Sequence, residues 1–371
     1  MPTMTPPGTE PPMRSRTRRA FAHSRTLGWI AAISLSAAPP MACHAEGTLQ
    51  LDAPTLFKRV QTSATQRSYA GTYVVSANGA MASSRVLHYC NGQEQIDKIE
   101  SLDGQMRRIY RHNDVVHVLW PQNHQASIEP RDLMGRLLGP GSAAARPGAG
   151  ASTTASTSAS PPSDAYEVQM GKEDRVAGYE AQVVNLKPRD PWRYGQRWWL
   201  ERDTGLLLRS DLLGPKGEVL ESAGFSELQI GVKLQPQQLL QEMHRLQGYK
   251  ILQPQFTRTS LEHEGWALKR AVPGFKPYAC VRRAAPHLSS TASPKDGPHG
   301  MLQAIYTDGL THVSMFIEPY DATRHSTDNP AVLGATRVHA RRDGDWWVTT
   351  VGEVPAATLQ AFSQGLERLK P

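Results

Sequence analysis

The clearest fold signal in the chain is WRYGQRWWLERDTGLLLRSDLLGPKGEVLESAGFSELQI, residues 192–230. Its apolar and aromatic residues fall into three runs, at 196–200, 206–213 and 219–230. Between the runs stand Asp-Thr-Gly and Gly-Pro-Lys-Gly, compositions that are typical of turns. This part of the chain therefore predicts three consecutive antiparallel strands.

Two adjacent tryptophans within it, Trp198 and Trp199, constrain how the sheet is covered. Successive side chains of a strand point to opposite faces of a sheet, so the two indoles cannot share one core. The pattern fits two interpretations. In the first, a helix covers one face and a loop covers the other. In the second, one face lines a cavity or contacts a partner.

The sequence upstream predicts a helix followed by further strands. Asp52 precedes Ala-Pro as a helix N-cap, and apolar residues recur at helical spacing to about residue 65. Asn78-Gly79 is a strong hairpin signal between two alternating runs. A short helix is predicted at 131–138. Strands are predicted at 69–76, 81–90, 95–100, 106–111 and 115–120.

Residues 139–163 differ in composition from the sequence around them. They consist of Gly, Ala, Ser, Thr and Pro, with Arg146 as the only charged residue. Such a run buries too little apolar surface to offset an ordering cost of about 1–2 kcal/mol per residue. We therefore expect a disordered insertion here.

A second domain is expected because the chain is longer than one hydrophobic core normally supports. Gln-rich sequence at 231–264 is the expected linker, with a short helix at 236–246, and the second domain is expected at 265–371. Its last element is predicted as a helix at 355–369, since Leu359, Phe362, Leu366 and Leu369 recur at helical spacing. Its strands are predicted at 301–307, 313–318, 336–341 and 346–352.

Residues 1–45 have the order of a secretory signal peptide. Five arginines against one glutamate are followed by the apolar run 27–38 and a small-residue stretch that ends at Ala45. The run is shorter than the ~20 apolar residues that a membrane span needs. We expect export and cleavage after Ala45, with a lipoprotein-type site at Cys43 as the alternative. Translation starts at Met1 or at Met13.

The leader also accounts for most of the basic character of the chain. It carries +4 of the formal net charge of +7, which leaves +3 for the remaining residues. The sequence contains none of the usual DNA- or RNA-binding motifs. We therefore expect no nucleic-acid partner.

The cysteines allow two arrangements. With Cys43 removed, Cys90 and Cys280 remain. In an oxidising compartment they can form a disulfide if their Cα atoms lie within about 7 Å, and two isolated buried thiols are the alternative. The sequence has no Cys-x-x-Cys, which argues against zinc-ribbon and thioredoxin-type chemistry.

Signatures of catalysis are missing from the sequence. It has no Gly-x-Ser-x-Gly elbow, no His-Glu-x-x-His and no Walker loop. His112, His117 and His124 are close in sequence but have no carboxylate or thiolate at ligand spacing to complete a zinc site. We expect a binding protein without metal or cofactor, and not an enzyme.

Two blocks of the sequence resemble the RseB/MucB family of periplasmic negative regulators of the sigma-E (AlgU-type) envelope-stress response. The second block lies far downstream of the first, in the expected order, and segments near residues 71–73, 85–88 and 102–104 also fit. The first block comprises Ala177-Gly178, 186–190, 192–195, Trp199-Leu200 and 204–208; the second comprises 306–310, 313–319, Gly334-Ala335 and 351–355.

The resemblance implies an α+β fold. Its first part, residues 46–230 including the insertion, would be an unclosed antiparallel half-barrel over helices, similar to the lipoprotein carriers LolA and LolB. A smaller C-terminal α+β domain would follow. The half-barrel would enclose an apolar cavity for acyl chains. Strand alternation selects Tyr69, Tyr73, Val75, Trp198 and Leu200 as candidates to line it, with ordinary core positions as the alternative.

The resemblance also implies a function. The chain would be a periplasmic accessory anti-sigma protein that binds the periplasmic region of a membrane anti-sigma factor of the RseA/MucA type. It would shield that region from regulated proteolysis and sense lipopolysaccharide or the acyl chains of mislocalised lipoprotein. A periplasmic lipid or lipoprotein carrier or chaperone is the alternative. The partner-binding residues, the natural lipid and any homo-oligomer are not indicated by the sequence.

Overall fold

The computed structural model describes five stretches of the chain. The expected leader, the helix predicted at 131–138 and the insertion predicted at 139–163 lie outside them. Among the described helices, none is long and apolar enough to cross a membrane. The described residues are 52–130, 164–253, 255–284, 300–325 and 332–369.

A first sheet is built around the tryptophan stretch and contains twelve of the described strands. They are β1 (Tyr69–Ala77), β2 (Ala80–Cys90), β3 (Gln95–Ser101), β4 (Arg108–His112), β5 (Val115–Trp120), β6 (Gln125–Pro130), β7 (Tyr166–Val176), β8 (Tyr179–Pro188), β9 (Gly195–Glu201), β10 (Leu207–Leu213), β11 (Val219–Ile230) and β12 (Lys250–Leu252). Their order is β12-β6-β5-β4-β3-β2-β1-β11-β10-β9-β8-β7. Within the described residues the end strands β7 and β12 do not pair, so the sheet is open.

The strand predictions in this sheet are confirmed where turns and alternation were clear. β9, β10 and β11 are antiparallel neighbours, as residues 192–230 predict. Asn78 has φ 51° in the turn that joins β1 to β2, as expected for an Asn-Gly hairpin. The sequence pattern did not predict β6, β7, β8 and β12. The predicted α+β class with an open antiparallel sheet is confirmed.

Two of the described helices pack on this sheet. The first, α1 (Ala53–Gln66), begins after Asp52, whose Oδ1 accepts a hydrogen bond from the Thr55 N–H at 3.2 Å. Its apolar face buries Leu56, Phe57 and Val60. The second, α2 (Pro236–His244), buries Met243 in a cluster with residues of β4, β5 and β6. Both helices were predicted from the sequence.

The segment 231–264, which we predicted as a linker, contains α2 and two short strands. One of them, β12, pairs in parallel with β6 and so extends the first sheet. The other, β13 (Phe256–Arg258), pairs with a strand of the second sheet. The limits of the two domains stay a prediction.

The second sheet contains seven of the described strands and carries the helix α3 (Ala356–Gly365) on one face. Leu359 and Phe362 of α3 are buried in its core. Besides β13, its strands are β15 (Lys276–Ala284), β16 (Gly300–Thr307), β17 (His312–Pro319), β18 (Val332–Leu333), β19 (Thr336–Asp343) and β20 (Trp346–Gly352). The sheet runs in the order β13-β15-β16-β17-β20-β19-β18.

The prediction that the last helix reaches residue 369 is wrong. The helix ends at Gly365, and Leu366–Arg368 forms β21, which pairs antiparallel with β14 (Trp266–Leu268). A side chain at position 365 would place its Cβ 2.7 Å from the Arg270 carbonyl oxygen, so glycine permits this close crossing. Leu366 is still buried, but it lies in a strand, where pairing with β14 replaces the hydrogen bonds of a helix.

A row of polar side chains crosses β1 to β4 inside the first sheet. Tyr69, His88, Asp97 and Arg111 are cross-strand partners, and each is buried. His88 Nδ1 lies 2.6 Å from Asp97 Oδ1, and the ring of Tyr69 stacks on the imidazole at 4.8 Å. Burial alone would lower the pKa of His88, but the charge and hydrogen bond of Asp97 raise it to about 9. His88 is therefore an imidazolium at neutral pH.

This pKa predicts how stability depends on pH. The folded-state pKa of about 9 exceeds the ordinary 6.5. The contribution of His88 to the free energy of unfolding is therefore complete below about pH 6.5. It is lost as pH rises through the folded-state pKa. We expect His88→Gln to reduce the loss of unfolding free energy between about pH 6.5 and about pH 9.5, measured by urea denaturation. His263→Gln is the matched control, since that side chain is 82% exposed. An unchanged pH dependence in His88→Gln would contradict the assignment.

Candidate functional site

The two sequence blocks that carry the family resemblance meet at one buried ion pair. Arg193 precedes β9 of the first sheet, and Asp308 follows β16 of the second. Arg193 Nε donates to Asp308 Oδ2 at 2.8 Å, and the two side chains are 1% and 0% exposed. Both sheets belong to one compact unit, so this pair joins them in its interior.

The guanidinium of Arg193 has four further contacts. Nη1 donates to the carboxylate of Asp190, and Nη2 donates to the Pro273 carbonyl at 3.0 Å. The ring centroids of Phe275 and Tyr166 lie 5.1 Å and 5.9 Å from the guanidinium carbon. The planar guanidinium thus bonds to Asp190, which is close in sequence, and to the distant Asp308 and Pro273. These bonds fix its orientation.

A tight turn holds the carboxylate of Asp308. Its Oδ1 accepts hydrogen bonds from the backbone N–H groups of Leu310 at 2.9 Å and Thr311 at 2.8 Å. Burial raises the pKa of Asp308, while these hydrogen bonds and the charge of Arg193 act in the opposite direction. One oxygen is therefore bound by the turn, and the other is directed to Arg193.

Further contacts join the two sheets. Thr358 Oγ1 in α3 donates to the Trp192 carbonyl at 2.8 Å, beside the ion pair. Arg283 Nη1 in β15 lies 3.4 Å from Glu129 Oε2 in β6. The apolar residues Tyr194, Leu212 and Ala335 form a small buried cluster. The junction combines two ion pairs, a neutral hydrogen bond and apolar packing.

The structure divides the five residues predicted to line a lipid cavity between two packed clusters. Tyr69, Tyr73 and Val75 are 2–3% exposed in the main cluster of the first sheet. Trp198 and Leu200, 5% and 4% exposed, belong to the cluster under α1. The structure therefore brings Trp198 and Leu200 together beneath a helix and places the other three elsewhere in the core.

Trp198 and Trp199 occupy different clusters, as strand alternation requires. Trp198 meets Phe57 of α1 edge to face, with ring centroids 5.7 Å apart. Trp199 packs in the main cluster, donates from Nε1 to Asp174 Oδ2 at 2.8 Å, and has the Arg209 guanidinium 4.4 Å from its ring. A helix thus covers Trp198, whose Nε1 also donates to Gln196 Oε1 at 2.8 Å, and Asp174 and Arg209 hold Trp199.

A basic cleft of about 320 Å³ lies beside α1, in the described part of the chain. Arg59 is fixed there by donating from Nη2 to the Arg202 carbonyl at 2.6 Å. The hydroxyl of Ser63 is buried at the cleft and has no hydrogen-bond partner. Our sequence argument missed this site because it considered only the apolar face of α1. The cleft is lined by Thr55, Lys58, Arg59, Thr62, Ser63, Gln66, Arg67 and Thr204.

The histidines considered as metal ligands make separate contacts. His112 Nε2 lies 2.9 Å from Glu94 Oε1, and His117 Nδ1 lies 3.1 Å from the Met243 carbonyl oxygen. Among the described residues, no group of three or more His, Cys, Asp or Glu side chains is arranged to hold a metal ion. Cys90 and Cys280 are free thiols.

Comparison with known proteins identifies two family matches along the chain. The MucB/RseB N-terminal domain matches residues 52–243, and the MucB/RseB C-terminal domain matches residues 260–367. The sigma factor AlgU regulatory protein MucB of Pseudomonas aeruginosa is 28% identical over 322 residues, covering 84% of this chain and 90% of that protein. The sigma-E factor regulatory protein RseB of Haemophilus influenzae is 22% identical over 303 residues, covering 80% and 85%.

Solved structures of MucB also match this chain. A crystal structure of MucB in complex with MucA(peri) matches with a TM-score of 0.61 and 25% identity, covering 86% of this chain and 100% of that chain. A Pseudomonas aeruginosa MucA/MucB complex matches with a TM-score of 0.62 and 24% identity over the same shares. This chain thus shares its fold with both structures over 86% of its length.

The ion pair predicts strong energetic coupling across the junction. Arg193→Met or Asp308→Asn leaves a buried partner uncompensated, so each should lower the free energy of unfolding by about 3–5 kcal/mol. The double variant should lose clearly less than the sum of the two, in a cycle measured by urea denaturation. The control is Arg202→Met, since Arg202 pairs with Glu180 at 2.7 Å with side chains 53% and 63% exposed, and should cost about 1 kcal/mol or less. Additive losses for Arg193 and Asp308 would refute the coupling.

Proposed function

The chain belongs to the MucB/RseB family, and we propose that it is a periplasmic accessory anti-sigma regulator that binds the periplasmic region of a membrane anti-sigma factor. In this proposal, binding shields that region from regulated proteolysis, and misplaced lipid or lipoprotein releases it. The observation that carries the proposal is the match of 86% of the chain to MucB in complex with MucA(peri).

The two-sheet arrangement supports a regulator that acts by occupying its partner. Shielding a segment from a protease requires a stable surface and not a reaction, which suits a sequence without catalytic motifs. Export by the predicted leader would place the protein beside the periplasmic part of the anti-sigma factor. The proposed mechanism is therefore stoichiometric.

The junction offers a route by which a ligand on the first sheet changes binding elsewhere. Arg193, Asp308 and the Thr358 hydrogen bond require the loop before β9, the turn after β16 and α3 to keep one relative position. A ligand that binds better when these three segments are in another relative position would therefore weaken these contacts. A coupling of about 1–3 kcal/mol suffices for a roughly 5- to 150-fold change in partner affinity.

The lipid signal would act at α1. We propose that its acyl chains enter between α1 and the sheet, where Phe57 now covers Trp198 and Leu200 lies in the same cluster. The head group, which in lipopolysaccharide is phosphorylated, would occupy the basic cleft beside the same helix, with Lys58 and Arg67 as its cations. Tyr69, Tyr73 and Val75 stay proposed lining residues of a cavity that opens further.

A lipid or lipoprotein carrier is the second candidate. The first sheet with α1 would be enough for that function, and a carrier needs no contact with an anti-sigma factor. The second sheet, with its own core and its buried ion pair to the first, favours the regulator. The two candidates differ in whether a partner protein is bound.

The first prediction of this proposal concerns the partner. We expect the exported protein to bind the periplasmic region of the anti-sigma factor from the same organism and to slow its digestion in proportion to the amount of complex. Pull-down and a proteolysis time course measure both. Lipid binding without partner binding would establish the carrier instead. Full protection of the anti-sigma region by far less than one equivalent of this protein would indicate turnover and contradict a binding mechanism.

The second concerns the lipid. Titration with lipopolysaccharide should dissociate the complex, because a ligand shifts an equilibrium through its different affinities for the two states. We expect Lys58→Gln with Arg67→Gln to raise the required concentration by about tenfold, which corresponds to 1.4 kcal/mol. Lys172→Gln, an exposed position on β7, is the control. An equal response of the double variant and the unmodified protein would exclude the basic cleft as the head-group site.

A further inference from the structure

The helix α2 covers a small apolar patch on the face of the first sheet that lies opposite the main cluster. Ile109 of β4 belongs to the main cluster, and its neighbour Tyr110 points to the other face, where it packs with Met243 of α2. In the described part of the chain the patch also buries Leu119 and Ala126. Because this apolar contact is small, the docking of α2 depends strongly on its polar contacts.

Three polar contacts hold α2 on the patch. Lys98 Nζ lies 2.5 Å from Glu242 Oε2, and Tyr110 Oη donates to the same oxygen at 3.3 Å. His117 Nδ1 lies 3.1 Å from the Met243 carbonyl oxygen. A carbonyl oxygen only accepts hydrogen bonds, so Nδ1 carries the proton of the neutral imidazole. A second proton must therefore bind at Nε2.

The surroundings of His117 disfavour that second proton. The residue is 5% exposed, and the ring of His244 meets it edge to face with centroids 5.8 Å apart. Burial lowers the pKa of His117, the hydrogen bond to Met243 acts in the opposite direction, and the charge of His244 lowers the pKa further. An imidazolium at this position would thus be poorly solvated and would face another imidazole.

The other described groups around His117 supply no available counter-charge. The carboxylate of the patch, Glu242, is already paired with Lys98. Burial would raise the pKa of Glu242, but the hydrogen bond and charge of Lys98 hold it below its ordinary value, so this pair stays charged in mild acid. On β6 the cross-strand partner of His117 is the apolar Ile128. The remaining titratable groups that face His117 are Tyr110 of β4, His244 of α2 and Tyr249 after α2.

The direction of the pH dependence follows from these contacts. The pKa of His117 is lower in the folded chain than its ordinary value of about 6.5, so a state with α2 released binds the proton more tightly. The stabilising contribution of neutral His117 is complete above about pH 6.5 and is lost as pH falls through the folded-state pKa. His88 acts in the alkaline range, so the two effects are separable.

We propose that α2 is an acid-sensitive element of the first sheet, in which protonation of His117 releases the helix and uncovers Tyr110 and Leu119. After α2 the chain forms β12, which pairs with β6, and then β13, which pairs with β15 of the second sheet. Release of α2 therefore loosens a connection between the two sheets. The inference goes beyond anti-sigma binding and does not depend on it.

Hydrogen–deuterium exchange of the full chain, followed by peptide mass spectrometry, measures the docking of α2. After correction for the intrinsic effect of pH on exchange, we expect amides of residues 239–249 to be at least about threefold less protected at about pH 5.5 than at about pH 7.5. Peptides from β1 and β11 should keep their protection, because the main cluster does not contain His117. Equal protection of 239–249 at both pH values, or an equal loss in all these peptides, would overturn the proposal.

Two variants test whether His117 is the titrating group. His117→Asn keeps an N–H donor near the position of Nδ1 but cannot bind a proton, so the protection of α2 should no longer depend on pH in this range. His263→Gln is the control, since that side chain is 82% exposed, and it should leave the dependence unchanged. A pH dependence that persists in His117→Asn would contradict the assignment. If His117→Asn leaves α2 undocked at both pH values, an NMR titration of His117 in the unmodified protein decides, and a midpoint at or above about 6.5 overturns the proposal.

Discussion

The buried pair of Arg193 and Asp308 is the constraint on which the arrangement of the two sheets depends. Removing two charges from water costs several kcal/mol per ion, and their attraction offsets this only when the remaining hydrogen-bonding groups are also satisfied. The structure meets that condition with the Pro273 carbonyl on one side and the Leu310 and Thr311 N–H groups on the other. The segments that supply these carbonyl and N–H groups must therefore be loops that place them next to Arg193 and Asp308.

The two adjacent indoles of the first sheet are both buried, each with different neighbours. α1 covers Trp198 with Phe57, while Trp199 relies on Asp174 and Arg209. Trp198 also donates from Nε1 to Gln196 Oε1 at 2.8 Å, so both indoles have a hydrogen-bond acceptor, and they differ in that α1 covers Trp198. In our proposal acyl chains replace that cover, and the basic cleft beside α1 places charge next to it.

Polar chemistry is present in this protein although its sequence has no catalytic motif. His88 and Asp97 come from neighbouring strands, and they become partners because antiparallel pairing places them opposite each other on one face. A buried, charged histidine is a feature that anti-sigma binding does not require.

Elements with local signals can be predicted from the sequence. Asp52 fixed the start of α1, Asn78-Gly79 fixed a hairpin, and alternation across 192–230 fixed three strands and the opposite placement of two tryptophans. The two blocks that resemble the RseB/MucB family are also visible in the sequence. Features that depend on distant residues become visible only in the folded chain. Gly365 ends a helix at a point where the Arg270 carbonyl oxygen passes close to it, and Arg193 pairs with Asp308, 115 positions away. Local composition carries no record of such partners, because the energy of a buried charge is set by the groups that surround it after folding.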